Sequence, residues 1–496
     1  MIVTTEIRDV LNDIGEPAKQ LVLSYINKEG NISYLTYTIP PSQMYQWKYA
    51  KRTDVPDRQY KSWDFKPVVK DPVNGYLTEQ RIHEILLDLI AANPEVAAIN
   101  ELNMPNTAFC DIEVLVDDDG FPKADAARNP VNTISWVVND QVYVLVREKV
   151  LTEADIKWIQ DSIDEHCKQF KTKYKFTYVY FETEVELLTT FFRDYVFPAT
   201  CVTGWNFFGY DYPYLFNRCE KLGIDLQYLS PTGTWYKYKP QNADADVKIS
   251  LPKHKLLYDY MEIYIKWDRS VEVKESNKLD WVAETVLGTK KVVHQLGFKD
   301  MWEQEPVQYI FYNAIDSILI REIDNKIKTS SAFLGLANLM HVDALTAFSP
   351  VRSLEIVQAE YLYKEGRVMP NVGNKKADSG DEGYEGAFVY QPTAGIYKNV
   401  IALDFASLYP TTIRQFNISP ETFIEKNPKH VRKNDEIMCT SGAVYKRDIP
   451  GFIPKICTDF YSQRKAYKKE MMIAIDEKYH LKDIYEKRFG QLPDDD

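Results

Sequence analysis

Six side chains in this sequence stand at spacings that could do chemistry together. Asp111 and Glu113 lie two apart in Ala108-Phe-Cys-Asp-Ile-Glu-Val114, which reads as a strand. Side chains two apart on a strand point the same way, so both carboxylates face one side and can share a metal. Asp211 follows the Gly-rich turn in Thr203-Gly-Trp-Asn-Phe-Phe-Gly-Tyr-Asp211, at about the position of a helix N-cap, with Pro213 inside the first turn. Tyr312 and Asp316 are four apart in 308–327, which reads as an amphipathic helix after Pro306, and so share a face. Ile315, Ile318 and Leu319 would bury its adjoining sides. Asp404 ends the apolar run Val400-Ile-Ala-Leu403, which reads as a buried strand; Ser407, Tyr409 and Pro410 read as the opening of a helix. A carboxylate there can hold a divalent cation, and the backbone N–H groups of the following turn can face a phosphate. Two cations, Arg464 and Lys468, share a face of the basic helix opened by Tyr461-Ser-Gln-Arg, a pairing suited to a triphosphate.

Taken singly, each feature has a plainer account. Asp-x-Glu is weak in a chain this acidic, Asp211 would serve as a cap, Tyr312 and Asp316 as core-edge residues, and the basic run as a solvated helix face. The elements around them carry no chemistry of their own. Gln20–Ile26 and Ile32–Ile39 read as a strand pair across Lys28–Asn31. Residues 78–92 read as a helix capped by Thr78, with Ile82, Ile85, Leu86 and Leu89 as its apolar stripe. Lys51, Arg52, Arg58 and Lys61 read as a solvated face. Trp235–Lys239 and Val247–Ser250 form a hairpin, and Asp244 and Asp246 in its polar turn read as turn chemistry, not as metal ligands. Residues 331–375 look helical, then loose, with Leu336, Leu339 and Leu345 as core, and Asn371–Gly383 reads as a linker.

At 496 residues the chain should hold several domains. With 45% hydrophobic and 27% charged residues it is globular material, not a disordered tail. A net charge of −12 fits a naive DNA-binding protein poorly, but metal-dependent nucleases concentrate carboxylates at their centres, and basic surface need only line the groove. The six cysteines include no Cys-x-x-Cys pair, so neither a zinc site nor a disulfide framework is expected, and a reducing compartment fits. Residues 1–10 carry Glu6, Arg8 and Asp9 without an apolar core, so they are not a signal peptide, and no run is long enough to cross a membrane.

In order, Asp-x-Glu on a strand, Asp after a Gly-rich turn and Tyr-x-x-x-Asp on a helix resemble the three motifs of proofreading 3′–5′ exonucleases with a ribonuclease H-like fold. Asp404-Phe-Ala-Ser-Leu-Tyr-Pro410 resembles motif A of family B DNA polymerases. Arg414-Gln-Phe-Asn-Ile-Ser-Pro-Glu-Thr422 is similar to the replicative polymerases of T-even-type bacteriophages. The resemblance runs from about residue 105 onward and more loosely over the segment before it. It implies an α/β (mixed α+β), multidomain protein: an N-terminal domain over 1–104 completed by 331–375, an exonuclease domain over 105–330, a partial palm over 376–450 and the start of the fingers over 451–496. It further implies two Mg2+ or Mn2+ ions per active site. Asp111 would bridge both exonuclease ions, Glu113 and Asp316 would complete the nucleophile-activating site, Asp211 would support the second largely through water, and Tyr312 would orient the attacking water. In the polymerase part Asp404 would bind metal, the backbone of Ser407 and Leu408 would approach the triphosphate, and Tyr409 would exclude a 2′-hydroxyl. Tyr384 and Gly386, in Tyr-x-Gly-Ala, would touch the template, and the 235–250 hairpin would help part primer from template. Primer–template DNA, single-stranded 3′ ends and deoxynucleoside triphosphates are the implied partners, in the host cytoplasm if the protein is viral.

The sequence departs from that pattern at one point. The fingers motif Lys-x-x-x-Asn-Ser-x-Tyr-Gly and the palm motif Asp-Thr-Asp-Ser occur nowhere in it, and no thumb follows. One principal carboxylate cannot hold both polymerase ions. The expectation is therefore the N-terminal part of a polymerase, naturally split or else truncated, with the split favoured and polymerisation requiring a C-terminal chain through which a sliding clamp would also bind. The other readings are a stand-alone 3′–5′ exonuclease with a vestigial polymerase segment, and a non-enzymatic DNA-binding subunit, against which the intact carboxylate set argues.

Overall fold

The computed structural model describes residues 1–12, 14–93, 99, 101–241, 247–268, 275–289, 296–371 and 390–490. Tyr384 and Gly386, residues 242–246 with the expected turn residues Asp244 and Asp246, nearly all of the expected linker and the last six residues lie outside the described residues. The chain is mixed α and β throughout and divides into two compact units, Met1–Pro41 with Asp88–Leu354 and Ser42–Leu87 with Glu355–Asp496.

The first unit is organised on a six-stranded sheet in the order Lys175–Phe181, Gln141–Arg147, Val131–Val138, Thr107–Val114, Cys201–Gly204, Leu256–Asp259. Thr107–Val114, Val131–Val138 and Gln141–Arg147 are antiparallel neighbours, and the next strands join in parallel on the far edge of the first. That is the ribonuclease H-like order the motifs implied. Val131–Val137 is buried throughout rather than alternating, because helices cover the sheet. Two of these helices, Glu153–His166 and Glu184–Thr190, start on capping boxes in which Thr152 with Asp155 and Thr183 with Glu186 satisfy each other's backbone N–H groups.

The Pro306–Ile327 helix differs from its sequence reading. It is not amphipathic over its centre: every residue from Tyr309 to Ile320 is buried. The helix lies on the central strands and is overlain by Glu153–His166, Leu279–Leu287 and Phe298–Gln304, so it has no wet face there. In Thr329–Leu339 the buried side is carried by Phe333, Leu334 and Ala337; Leu339 is 46% exposed, and Leu336 and Leu345 are half-buried. The hairpin pairs Trp235–Tyr238 with Ile249–Pro252, and its rings turn inward, Tyr238 onto Phe208 at 5.4 Å and Trp235 onto Phe216 at 5.5 Å.

The expected pair Pro17–Ile26 and Ile32–Ile39 is joined by a strand the sequence hid, Ile2–Leu11. Its apolar alternation is broken by Glu6, which is buried. Thr234 Oγ1 donates to Glu6 Oε1 at 2.6 Å, and Thr232 Oγ1 and His254 Nε2 reach Oε2 at 2.8 and 2.9 Å. His254 Nδ1 meets Ser24 Oγ at 2.9 Å.

In the second unit, the helix read at 78–92 spans Glu79–Ala92, and Thr78 Oγ1 accepts from Arg81 N at 3.2 Å. Arg81 and Glu84 are buried on it as an ion pair at 2.8 Å, to which Trp47 Nε1 donates at 3.0 Å. Lys51, Arg52, Arg58 and Lys61 are exposed. The run Val400–Leu403 is not the buried strand its composition suggested. Val400, Ile401 and Leu403 are 73, 82 and 90% exposed, and no described strand pairs with them. Strand geometry needs a partner for its N–H and C=O groups, and among the described residues this run has none. The helix that follows is present at Leu408–Phe416, entered through Ser407 in the left-handed conformation with φ +53°. A three-stranded antiparallel sheet comes next, then the 38-residue helix Phe452–Phe489. No described helix is long and apolar enough to cross a membrane.

The Glu6–His254 contact makes stability depend on pH. Burial opposes ionisation of Glu6, but the bonds from Thr234, Thr232 and His254 outweigh it and hold the carboxyl below its usual range. Burial outweighs Glu6 at His254 and lowers the imidazole. The neutral ring thus donates through Nε2 and accepts from Ser24 at Nδ1. In both groups the fold disfavours the added proton. The His254 contribution is full above roughly pH 6.5 and is lost as the pH falls below it, and Glu6 adds its own loss below about 4.3. The thermal midpoint should fall between pH 7 and 5, and fall less in His254→Asn. At pH 7, His254→Ala should cost about 2–3 kcal/mol in urea unfolding.

Candidate active site

Thr107–Val114 runs through the sheet and carries both Asp111 and Glu113. The antiparallel partner sets Asp111 opposite Ser135 and Glu113 opposite Thr133, and the register slips immediately after Glu113. Such irregularities re-aim side chains where pairing ends. Asp316 reaches the same place from the central helix. One ligand oxygen from each of Asp111, Glu113 and Asp316 lies within 4.8 Å of the others, with Glu113 and Asp316 buried and Asp111 half-buried. This is the one such group of three or more ligands among the described residues. It offers only carboxylate oxygen, the donor that hard divalent cations such as Mg2+ and Mn2+ take.

Asp211 comes from the next strand over. Cys201–Gly204 pairs in parallel with Thr107–Phe109, and a β-carbon on Gly204 would sit 2.5 Å from Cys110 O, so only glycine permits that approach. The turn then folds on Asn206, whose carbonyl accepts from Gly209 N and Tyr210 N, both at 2.9 Å; a β-carbon on Gly209 would collide with the Asn206 side-chain amide. The helix begins at Asp211 itself, with Tyr210 in the cap position. Asp211 is therefore not the cap its position suggested. Its Oδ1 accepts instead from Ile112 N at 3.1 Å, across the sheet and between the two acids of the first motif. Burial, then the charge of Asp111, push its carboxyl well above the usual carboxylate range. Asp211 stays outside the three-oxygen group but is electrostatically tied to it.

Tyr312 is buried one turn before Asp316, with Phe298 edge-on to its ring at 5.6 Å. Sequence reasoning passed over three polar residues by which this helix meets the central strands. Tyr309 OH donates to Val114 O at 3.4 Å, Asn313 Nδ2 donates to Asp111 Oδ2 at 2.8 Å, and Ser317 Oγ meets Ser135 Oγ at 2.6 Å. Their spacing of four in an otherwise apolar helix was the available signal.

The residues of the second unit are placed differently. Asp404 and Tyr409 are exposed, and Leu408 opens a helix beyond Ser407. Arg464 and Lys468 are exposed on the long helix; Arg414 lies over the Tyr461 ring at 5.0 Å. Among the described residues Asp404 belongs to no metal-holding group.

A ribonuclease H-like sheet that gathers carboxylates at one strand end is the framework of an exonuclease domain. Two family models match the chain: DNA polymerase family B, exonuclease domain, over residues 78–250, and DNA polymerase family B over residues 355–492. The chain thus carries the exonuclease domain and part of the polymerase domain of family B DNA polymerases. The DNA-directed DNA polymerases of Escherichia phage RB69 and Enterobacteria phage T4 are 28% and 27% identical to it over 388 and 392 residues, each comparison covering 73% of this chain and 42% of the relative. A DNA polymerase of Archaeoglobus fulgidus is 25% identical over 394 residues, 77% of this chain and 43% of its own. The chain spans less than half the length of these relatives. The exonuclease match contains Asp111, Glu113 and Asp211; Asp316 lies beyond it, and the geometry brings it in. Asp404, Tyr409, Arg464 and Lys468 fall in the polymerase match.

Gly204→Ala should force the strands apart beside Asp111. Unfolding in urea should show a loss of about 1–3 kcal/mol, the usual result of overpacking.

Proposed function

We propose that this chain is the N-terminal part of a replicative DNA-directed DNA polymerase, bearing a complete two-metal 3′–5′ proofreading exonuclease and the motif A half of a polymerase site. The observation that carries the first half is the gathering of Asp111, Glu113 and Asp316, with Asp211 bonded to the same strand. Asp111, Glu113 and Asp316 would hold one cation, and Asp111 with Asp211 the second. Divalent ions bound there supply an activated water and stabilise a departing 3′ oxyanion. The chain's own groups orient the reaction. The Tyr312 phenol would hold the attacking water, and the buried sheet end would exclude bulk solvent. Single-stranded 3′ ends of DNA are the substrate. Asp111→Ala with Glu113→Ala should abolish metal-dependent digestion of such ends while the circular dichroism spectrum stays unchanged; undiminished digestion would overturn the assignment.

For the polymerase half, the supporting observation is the exposed run Val400–Phe405 beside Asp404. Four exposed apolar side chains and a strand-competent backbone with no partner among the described residues leave room for strands of another polypeptide. That polypeptide would supply the second metal-binding aspartate, the rest of the fingers, the thumb and any contact with a sliding clamp. Arg464 and Lys468 would grip the triphosphate of a deoxynucleotide on primer–template DNA, and Tyr409 would lie under its sugar. Primer extension should be absent with this chain alone and appear on co-expression with a chain carrying Asp-Thr-Asp-Ser. In that assembly Tyr409→Ala should raise ribonucleotide incorporation. Exonuclease activity with no extension under either condition would favour the second reading, a stand-alone exonuclease in which the exposed motif A segment is vestigial.

A further inference from the structure

We infer that Asn313 is a positioning residue that fixes Asp111 for cation binding. It stands between Tyr312 and Asp316 on the central helix and is completely buried. Its Nδ2 donates to Asp111 Oδ2 at 2.8 Å and lies 3.4 Å from the Asp111 carbonyl. A carboxylate oxygen only accepts, so the amide must turn its NH2 toward Asp111 and its carbonyl away. That carbonyl, Oδ1, takes no hydrogen bond among the described residues.

A half-satisfied amide is a poor way to stabilise a buried helix. An apolar side chain of similar size would pack there without an orphaned acceptor. The helix does not need Asn313 to stay in place, because one turn on either side Tyr309 donates to Val114 O and Ser317 bonds Ser135. What the amide does that neither neighbour does is touch a ligand. One oxygen of Asp111 is held by a donor that rides on the same helix as Asp316. Rotation of the Asp111 carboxylate is thereby fixed relative to Asp316, and the set of three is formed before a cation enters. A neutral donor suits this duty, since a lysine or arginine there would compete with the cation.

The inference rests on the exonuclease reading and is tested by binding as well as by activity. Free Mn2+ is measured by electron paramagnetic resonance during titration of the intact protein, its Asp111→Ala/Glu113→Ala variant, Asn313→Leu, Asn313→Ala and Ser317→Ala. The wild type should show binding that the double variant loses. Asn313→Leu and Asn313→Ala should bind roughly ten- to a hundredfold more weakly, the range for loss of a group that orients a ligand. Their melting temperatures should be level with the wild type or above it. Ser317→Ala should lower the melting temperature and leave Mn2+ affinity unchanged. In digestion assays the Mg2+ concentration for half-maximal rate should rise in the Asn313 variants far more than the rate at saturating Mg2+ falls. Equal Mn2+ affinity in wild type and both Asn313 variants would overturn the positioning role while leaving the exonuclease reading intact. Wild-type binding that the double variant retains would overturn that reading and the inference with it. If Asn313→Leu does not fold, Asn313→Ala carries the same comparison.

Discussion

Carboxylates within 4.8 Å of one another repel, and burial makes the repulsion worse. Such a group persists only if it holds protons or a cation, and only if the scaffold forces the approach. In the first unit the scaffold does so from three directions. A central strand presents two acids, a helix buried on every side at its centre delivers the third, and a neighbouring strand whose Gly204 allows backbone contact brings Asp211 up beside them, just outside the group. The polar bonds along that helix, and the capped helix Glu153–His166 packed on it, hold the arrangement against the charge it concentrates.

The motif A region works under the opposite constraint. Asp404 sits on an exposed segment that pairs with no strand among the described residues, and the ring and cations expected to meet a nucleotide are exposed as well. Nothing there compels charges together. The two regions differ in preorganisation: one brings its carboxylates together within its own unit, and the other leaves Asp404, Tyr409, Arg464 and Lys468 exposed.

Much of this was legible in the residue order. The strand carrying Asp111 and Glu113, the Gly-rich turn before Asp211 and the helix with Tyr312 and Asp316 all follow from local spacing, and the structure contains each of them. What local spacing could not supply was set by long-range contact. Asp211 looks like a cap until Ile112, 99 residues away in sequence, claims its oxygen. The central helix looks amphipathic until three other helices cover it. Ile2–Leu11 hides as a strand because Glu6 breaks its alternation, and its acceptors are satisfied from beyond residue 230. The Val400–Leu403 run reads as a buried strand because composition records what a segment suits, not whether its partner is at hand.

That unpaired run also bears on how the protein behaves in concentrated solution. Val400, Ile401, Leu403 and Phe405 put an apolar, strand-forming edge in contact with water. An edge of that kind pairs with whatever extended chain it meets, including another copy of itself. Self-association through this segment is therefore a hazard carried by the same few residues that flank Asp404.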